Sequence, residues 1–427
     1  MALIYPVTTG IDLSPLPPGW RWCKLTEVAR LESGHTPSRR EPSYWEDGTV
    51  PWLSLKDMKN LSGKYIYQTE DMPTAKGIEN SSARILPKGT VAFCRTASVG
   101  NAVILGTDMA TSQDFANWVC SPAILPEYLY EALRASGAQF DKEKQGSTHK
   151  TIYMPVLENF RVLLPSLSEQ HRIADILDKA DAIRRKRKQA IALTDQLLRS
   201  TFLEMFGDPV TNPKGWPEAS VGEVADVQGG LQVTHARENN PISVPYLRVA
   251  NVFRDKIDLT EIKQIRITES EMARAILQSG DVLVVEGHGN PDELGRAAVW
   301  RAQIDPCTHQ NHLIRVRPKP SIIDSHYLCS YLNSNAGRQQ MLRFGNTTSG
   351  LNTISTNNVR SVSIAVPPTN LQKRFALFVS QLSKVLKSHR TAECETEALF
   401  SSLVDRAFRG ELSRTEQVTG QLSMFNK

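Results

Sequence analysis

No stretch of this 427-residue chain approaches the ~18 uninterrupted apolar residues that cross a bilayer. The N-terminus sets no basic segment before an apolar run, so no secretion signal is expected, no membrane partner either, and the setting is cytoplasmic. Cysteine is sparse: Cys23, Cys94, Cys120, Cys307, Cys329 and Cys394, with no Cys-x-x-Cys pair. That pattern argues against a disulfide framework or structural zinc and fits a reducing compartment. Catalytic motifs are missing as well. Gly287-His288-Gly289 runs on into Asn290-Pro291-Asp292 without the third glycine of a dinucleotide loop, and no phosphate loop ends in Gly-Lys-Ser/Thr. Val366-Pro367-Pro368-Thr369 lacks the amide and the aromatic of an amino-methyltransferase box. Glu261-Ile262-Lys263 would end a nuclease motif, yet Pro291-Asp292 follows it instead of preceding it. Cys307, His309 and His312 have loose metal-ligand spacing, but the matching Thr111 to Phe115 has no such groups, so no metal is expected. These absences point to a non-catalytic binding protein that carries no cofactor of its own.

What is present is written twice. Trp20 and Trp216, Glu27 and Glu223, and Gly34 and Gly230 share one offset, 196. Val50-Pro51-Trp52-Leu53 answers Val244-Pro245-Tyr246-Leu247, and Thr111-Ser112-Gln113-Asp114 answers Thr308-His309-Gln310-Asn311. The offset drifts only between 191 and 202, which is loop-length variation around one scaffold. Such a period is too long for a solenoid, so it marks two copies of a domain-sized unit. With 40% hydrophobic and 22% charged residues each copy can hold a real core. The net charge of +5 leans weakly towards an anionic partner.

Each copy has two parts. Residues 17–165 and 213–367 are rich in Gly, Pro, Ser and Asn between short β-branched runs such as Thr90-Val91-Ala92-Phe93-Cys94 and Asp281-Val282-Leu283-Val284-Val285. Those runs predict strands, and helical patches are expected at Pro126–Leu133 and Ser325–Leu332, giving α+β globules. Residues 168–206 contain no Gly or Pro. Ile173, Ile176, Ala180, Ile183, Ala190 and Leu197 recur there at heptad spacing, as do Phe375, Phe378, Leu382, Val385, Ala392, Leu399 and Leu403 in residues 369–409. Pairing Phe202 with Phe408 gives an offset of 206, which predicts about one extra turn in the second helix. At 1.5 Å per residue each helix is roughly 55 Å long, and one apolar stripe requires a partner. The other copy's helix is the expected partner, antiparallel, with internal pseudo-two-fold symmetry. Two similar, non-identical readers held at fixed separation suit double-stranded DNA, whose half-site spacing mirrors the spacing of protein modules.

The junctions Leu163-Leu164-Pro165-Ser166-Leu167-Ser168-Glu169-Gln170-His171-Arg172-Ile173 and Val366-Pro367-Pro368-Thr369-Asn370-Leu371-Gln372-Lys373-Arg374-Phe375 carry a family resemblance. So do Tyr246-Leu247-Arg248-Val249-Ala250-Asn251-Val252 and the closing Phe408-Arg409-Gly410-Glu411-Leu412. Over nearly its whole length the chain resembles the specificity subunits of type I restriction–modification systems. The resemblance implies target-recognition domains at 1–166 and 209–367, helical spacers at 167–208 and 368–412 forming an antiparallel coiled coil, and a tail at 413–427. It also implies docking with two methyltransferase subunits and, in a complete restriction enzyme, two motor–nuclease subunits. S-adenosylmethionine, ATP and Mg are then expected in those partners.

Candidate DNA-binding residues sit in the loops between strands. Arg95, Thr96, Ser98 and Asn101 follow one strand; His288, Asn290 and Arg296 follow its counterpart. Glycine there lets backbone approach a phosphate, and the tips reach base edges, unless these are simply tight turns. Gln113 and Gln310 occupy the same place in both copies, which favours a structural or phosphate-directed role over base reading; His309 lies beside the second. Arg39, Arg40, Tyr44 and Trp45 form a basic–aromatic loop, with Lys56 further on, and His235 and Arg237 stand at the corresponding place in the second copy. Lys144, His149 and Lys150, and Arg343 with Asn346, suit phosphate clamping or a solvated loop. Arg248 and Asn251 of the resembling strand complete the set. The run Arg184-Arg185-Lys186-Arg187-Lys188 either neutralises the backbone between half-sites or is a solvated or partner-facing surface, tempered by Asp175, Asp178 and Asp181.

Overall fold

The computed structural model describes residues 5–10, 15–59, 61, 63–144, 150–344, 346–348 and 351–412. The chain divides into two compact units, Met1–Lys188 with Thr391–Lys427, and Gln189–Arg390. Each of the two long helices, Leu167–Phe206 and Thr369–Phe408, therefore contributes one part to each unit. The expected tail at 413–427 lies outside the described residues.

In the first unit the main sheet runs Ala29–Ser33, Phe115–Cys120, Val91–Cys94, Ala102–Leu105, Tyr65–Ile66. Only its last pair is parallel. Val91–Cys94 and Ala102–Leu105 are buried at every position, as continuous apolar runs in a strand require. A parallel pair, Trp52–Leu53 on Ala110–Thr111, sits apart from the sheet. Val7–Thr8, Arg161–Leu164 and Arg21–Lys24 form a three-stranded antiparallel sheet. The helix Pro126–Ala135 covers the core, where Phe93, Phe140 and Phe160 meet at centroid separations of 5.0 to 6.2 Å.

The second unit repeats the scheme. Its sheet runs Ala225–Gly229, Leu313–Pro318, Val282–Val285, Ala297–Val299. Tyr246-Leu247 pairs in parallel with Thr308–His309, as Trp52–Leu53 does with Ala110–Thr111. Glu218–Ser220 pairs with Ser363–Ala365, and Ser325–Asn333 is the covering helix. Among the described residues this copy adds an antiparallel partner for Ile242–Leu247, namely Lys263–Ile267, and a hairpin, Val252–Phe253 with Lys256–Ile257.

The junction motif acquires a physical meaning here. Gln170 is fully buried in the first turn of its helix. Its Oε1 accepts from the Leu125 amide at 2.9 Å, and its Nε2 donates to the carbonyls of Ala123 and Pro165, both at 3.1 Å. Gln372 does the same in the second unit, with the Asp324 amide at 2.7 Å and the carbonyls of Ile322 and Pro367 at 3.1 and 2.7 Å. One amide side chain thus ties the start of a long helix to the start of the covering helix and to the strand that precedes it. Leucine fills similar volume but leaves three backbone groups unpaired, each costing about 1 kcal/mol or more where it is shut off from water.

Within each unit the helix segments pair antiparallel. In the first, Arg172 bonds the Leu412 carbonyl, while Arg184 and Lys188 both reach Glu397 at 3.1 Å. In the second, Phe202 and Phe206 pack on Phe375 at 5.6 and 5.3 Å. Three seam expectations are corrected. Ile173, Ala180, Phe375 and Leu403 are buried as expected, but Leu197 and Val385 are 46% and 49% exposed while Leu177, Thr194, Phe202, Thr396 and Phe400 are buried, because a 3.6-residue helix drifts off a strict heptad. The extra turn does not exist, since both helices have 40 residues. Phe408 packs on Tyr128, and its true counterpart is Phe206, which packs on Tyr327 at the same place in the second unit.

Gln372→Leu is expected to lower the unfolding free energy of the second unit by roughly 3 kcal/mol. Denaturant unfolding read by amide hydrogen exchange at Asp324 checks this, with Gln170→Leu doing the same at Leu125 in the first unit.

Candidate nucleic-acid interface

In the first unit three loops converge where Ala29–Ser33 ends. A Cβ on Gly34 would lie 1.9 Å from the Ser112 carbonyl oxygen, so glycine alone lets the chain lie against the turn 111–114. The His35 amide then donates to the Thr111 carbonyl at 2.9 Å, and Thr36 bonds the Gln113 side chain. From the other side, the Arg95 amide donates to Asp114 and its Nε to the Gln113 carbonyl, both at 2.9 Å. The loop after Arg95 turns through Ala97 at φ 53° and Gly100 at φ 98°, leaving Ser98 and Asn101 exposed. Lys150 is exposed, Lys144 pairs with Asp141, and His149 lies outside the described residues.

The basic–aromatic loop is an ordered stack. The Trp52 ring is buried and donates Nε1 to the His35 carbonyl at 3.0 Å. Trp45 meets it edge-on at 5.2 Å and 83° and donates to the Ser38 carbonyl at 3.1 Å. The Arg39 guanidinium lies 3.5 Å from the Trp45 ring centre and 2.5 Å from Asp71. Lys56 reaches the same carboxylate at 3.7 Å, and Arg40 is exposed. Asp71, Trp52 and Thr36 were not among the sequence candidates. Trp52 and Thr36 adjoin the loop in sequence, but nothing in the pattern marks Asp71, 32 residues from Arg39.

In the second unit Gly230 repeats the close approach, a Cβ lying 2.1 Å from the Gln310 carbonyl oxygen. Three candidates lie in the interior. Asn251 accepts from the Arg248 amide at 2.8 Å and donates to the carbonyls of Asp258 and Glu261, fastening the turn between two strands. Arg296, 6% exposed, is held by Glu293 at 2.9 Å and the Val249 carbonyl at 3.0 Å. His309 is fully buried, and burial together with the positive charge of Arg315 pushes its imidazole down to about 3. Cys307 is buried beside it and His312 faces Glu286 at 3.3 Å. Among the described residues no three His, Cys, Asp or Glu gather as a metal site.

The remaining candidates in this unit divide by how far their groups are already used. Arg237 gives both Nη to Glu271 at 2.9 Å and Nε to the Gln232 carbonyl at 2.5 Å. Arg248 reaches Glu261 at 3.0 Å. His235 is exposed beside Glu238, Gln310 is half-buried, and Arg343 is exposed. His288 lies on a short strand that pairs with Leu351–Thr353, which in turn pairs with the strand holding Asn346. Asn290 caps a turn by accepting from the Asp292 amide at 3.0 Å.

The repetition of one scaffold is what the sequence comparison also finds. The family described as type I restriction modification DNA specificity domain matches residues 17–193 and again 213–396. The chain belongs to that family. It is 25% identical over 429 aligned positions to the EcoKI specificity subunit of Escherichia coli K12, covering 93% of this chain and 90% of that one. It is 27% identical over 271 positions to the MjaIX specificity subunit of Methanocaldococcus jannaschii, covering 57% of this chain and 60% of the relative's length. A crystal structure of the S subunit from M. genitalium superposes with a TM-score of 0.56 at 13% identity, over 94% of this chain and 98% of that one. A chain solved in work on complex assembly of the type I R-M system gives 0.53 at 21%, over 93% and 100%. Both support the family's fold.

The basic run of the first helix is largely spent inside the first unit. Arg184 and Arg185 pair with Asp181 at 2.8 and 3.1 Å, Lys188 pairs with Glu397, and Lys64 takes Asp178 at 3.0 Å.

His309 supplies a pH test. Its folded pKa lies below the ordinary 6.5, so its contribution to stability is present above pH 6.5 and is lost as pH falls from there towards 3. Denaturant unfolding between pH 7 and pH 4 should show the second unit weakening by up to about 1.4 kcal/mol per pH unit from this group. His309→Phe is expected to flatten that part of the slope.

Proposed function

We propose that this chain is the DNA sequence-recognition subunit of a type I restriction–modification enzyme, each unit reading one half of a bipartite, asymmetric duplex target. The observation that carries this reading is the pairing of a repeated scaffold with unlike loops. The edge that presents Arg39 on a tryptophan pair in one copy presents an internally satisfied Arg237 in the other. A reader of two identical half-sites would have no use for that difference. Exposed Arg40, Lys56 and Lys150 in the first unit, and His235 and Arg343 in the second, suit contacts to phosphate.

The chain itself acts without catalysis: the residues it brings together are cations, amides and aromatics suited to binding. Methyl transfer and cleavage then fall to two docked methyltransferase subunits and to two motor–nuclease subunits where restriction operates. S-adenosylmethionine, ATP and Mg belong to those partners. No described helix is long and apolar enough to cross a membrane.

Replacing residues 17–165 with the equivalent segment of a sibling protein is expected to change one half of the methylated motif and leave the other intact. Genome-wide mapping of methylated adenines reads the outcome; a change in both halves, or in neither, would sink the modular reading. Each wrong base pair in either half should weaken binding by roughly 1–3 kcal/mol.

A further inference from the structure

Given that the loops of the first unit meet duplex DNA, as proposed above, we infer that Arg39 is the specificity-determining side chain of that half-site and reads a guanine from the major groove. Its guanidinium is fixed on two sides. One face lies on Trp45 at 3.5 Å, and one Nη holds Asp71 at 2.5 Å, while the side chain stays 49% exposed.

The supports are themselves anchored. Trp45 is pinned by its bond to the Ser38 carbonyl and by its edge-on contact with Trp52. The segment bearing Asp71 is tied down by Thr69, whose hydroxyl accepts from the Trp52 amide and donates to the Asp71 carbonyl, each at 3.0 Å. Next to it, the Glu70 amide donates to buried Asp57 at 2.8 Å. A guanidinium carries five donors in a rigid fork. Among the described residues Asp71 is the sole hydrogen-bond acceptor Arg39 meets, so the rest of the fork faces outward without a partner.

Two features select a base over a phosphate. A phosphate brought to this guanidinium would also approach the Asp71 carboxylate, and the like charges repel. A neutral base edge meets no such penalty, and the O6 and N7 acceptors of guanine match the fork in pairs. Holding a side chain still is also of little value for a phosphate, which Arg40 can meet as an exposed cation. For a base it removes the rotamer entropy otherwise lost on binding. The second unit supplies the contrast. Arg237, at the corresponding place, has its fork closed on Glu271 and its Nε on Gln232, and only 18% of its side chain is exposed.

The test uses the full chain assembled with its methyltransferase subunit and compares Arg39→Lys and Arg39→Ala with the parent protein. Lysine keeps the charge and the pairing with Asp71 but lacks the fork, so it guards against simple unfolding. Competition binding and mapping of the methylated motif should show both variants losing preference at one G·C pair of the first half-site. The expected loss is roughly 5- to 150-fold, with the other half-site and the salt dependence unchanged. Preference retained by Arg39→Lys, or a first half-site that requires no G·C pair, would overturn the inference. So would a uniform loss on all sequences with a salt slope shallower by about one phosphate. In each of those cases the parent protein still selects its target and the reading beneath the inference stands. A parent complex that binds every sequence alike removes that reading, and Arg39 with it.

Discussion

A 40-residue helix that has to present a globular module in one orientation needs a rigid joint at its first turn. In both units that joint is a buried glutamine amide. Its strength comes from a match of valence. The amide offers one acceptor and two donors, and the surrounding backbone offers one free N–H at the covering helix and two free carbonyls. Neither a carboxylate nor an aliphatic side chain can satisfy all three groups at once. Tyr128 and Tyr327 reinforce it by sending their hydroxyls to the carbonyls of Leu163 and Ala365, on the same strands the glutamines secure.

With the joint and the core held rigid, the described residues of the two copies differ in the loops that follow Gly34 and Gly230 and in the strands each adds. Gly34 and Gly230 keep the backbone path there alike in both copies, because a side chain would collide with the neighbouring turn. Side chains hung on this common path then diverge freely. One copy grows a tryptophan pair with an arginine resting on it; the other closes its arginine on a glutamate and adds the strand Lys263–Ile267.

The sequence disclosed the duplication, the helices nearly to the residue, and the junction motif, because each rests on periodicity or on local identity. It did not disclose depth. Asn251, Arg296 and His309 have the side chains of readers, yet they sit inside, where they secure turns or fill space. Phe202 was matched with Phe408 because both are aromatic, whereas packing against equivalent tyrosines selects Phe206. Asp71 stayed hidden because its partner is distant along the chain and a lone aspartate in a loop has no pattern to betray it. The seam positions Leu197 and Val385 failed for a geometric reason, the slow rotation of a real helix relative to a seven-residue repeat.

The division of the long helices between units has a consequence for biosynthesis. The second unit is drawn from one uninterrupted stretch, Gln189–Arg390, whereas the first needs Thr391 onward before Phe400, Leu403 and Phe408 can close its core. Chains emerge from the ribosome N-terminus first and domains fold as units. The first unit to be translated is therefore the last to be completed, and its apolar floor around Tyr128 and Leu177 waits uncovered through the synthesis of some two hundred further residues. Nascent chains of this design carry their aggregation hazard at the front.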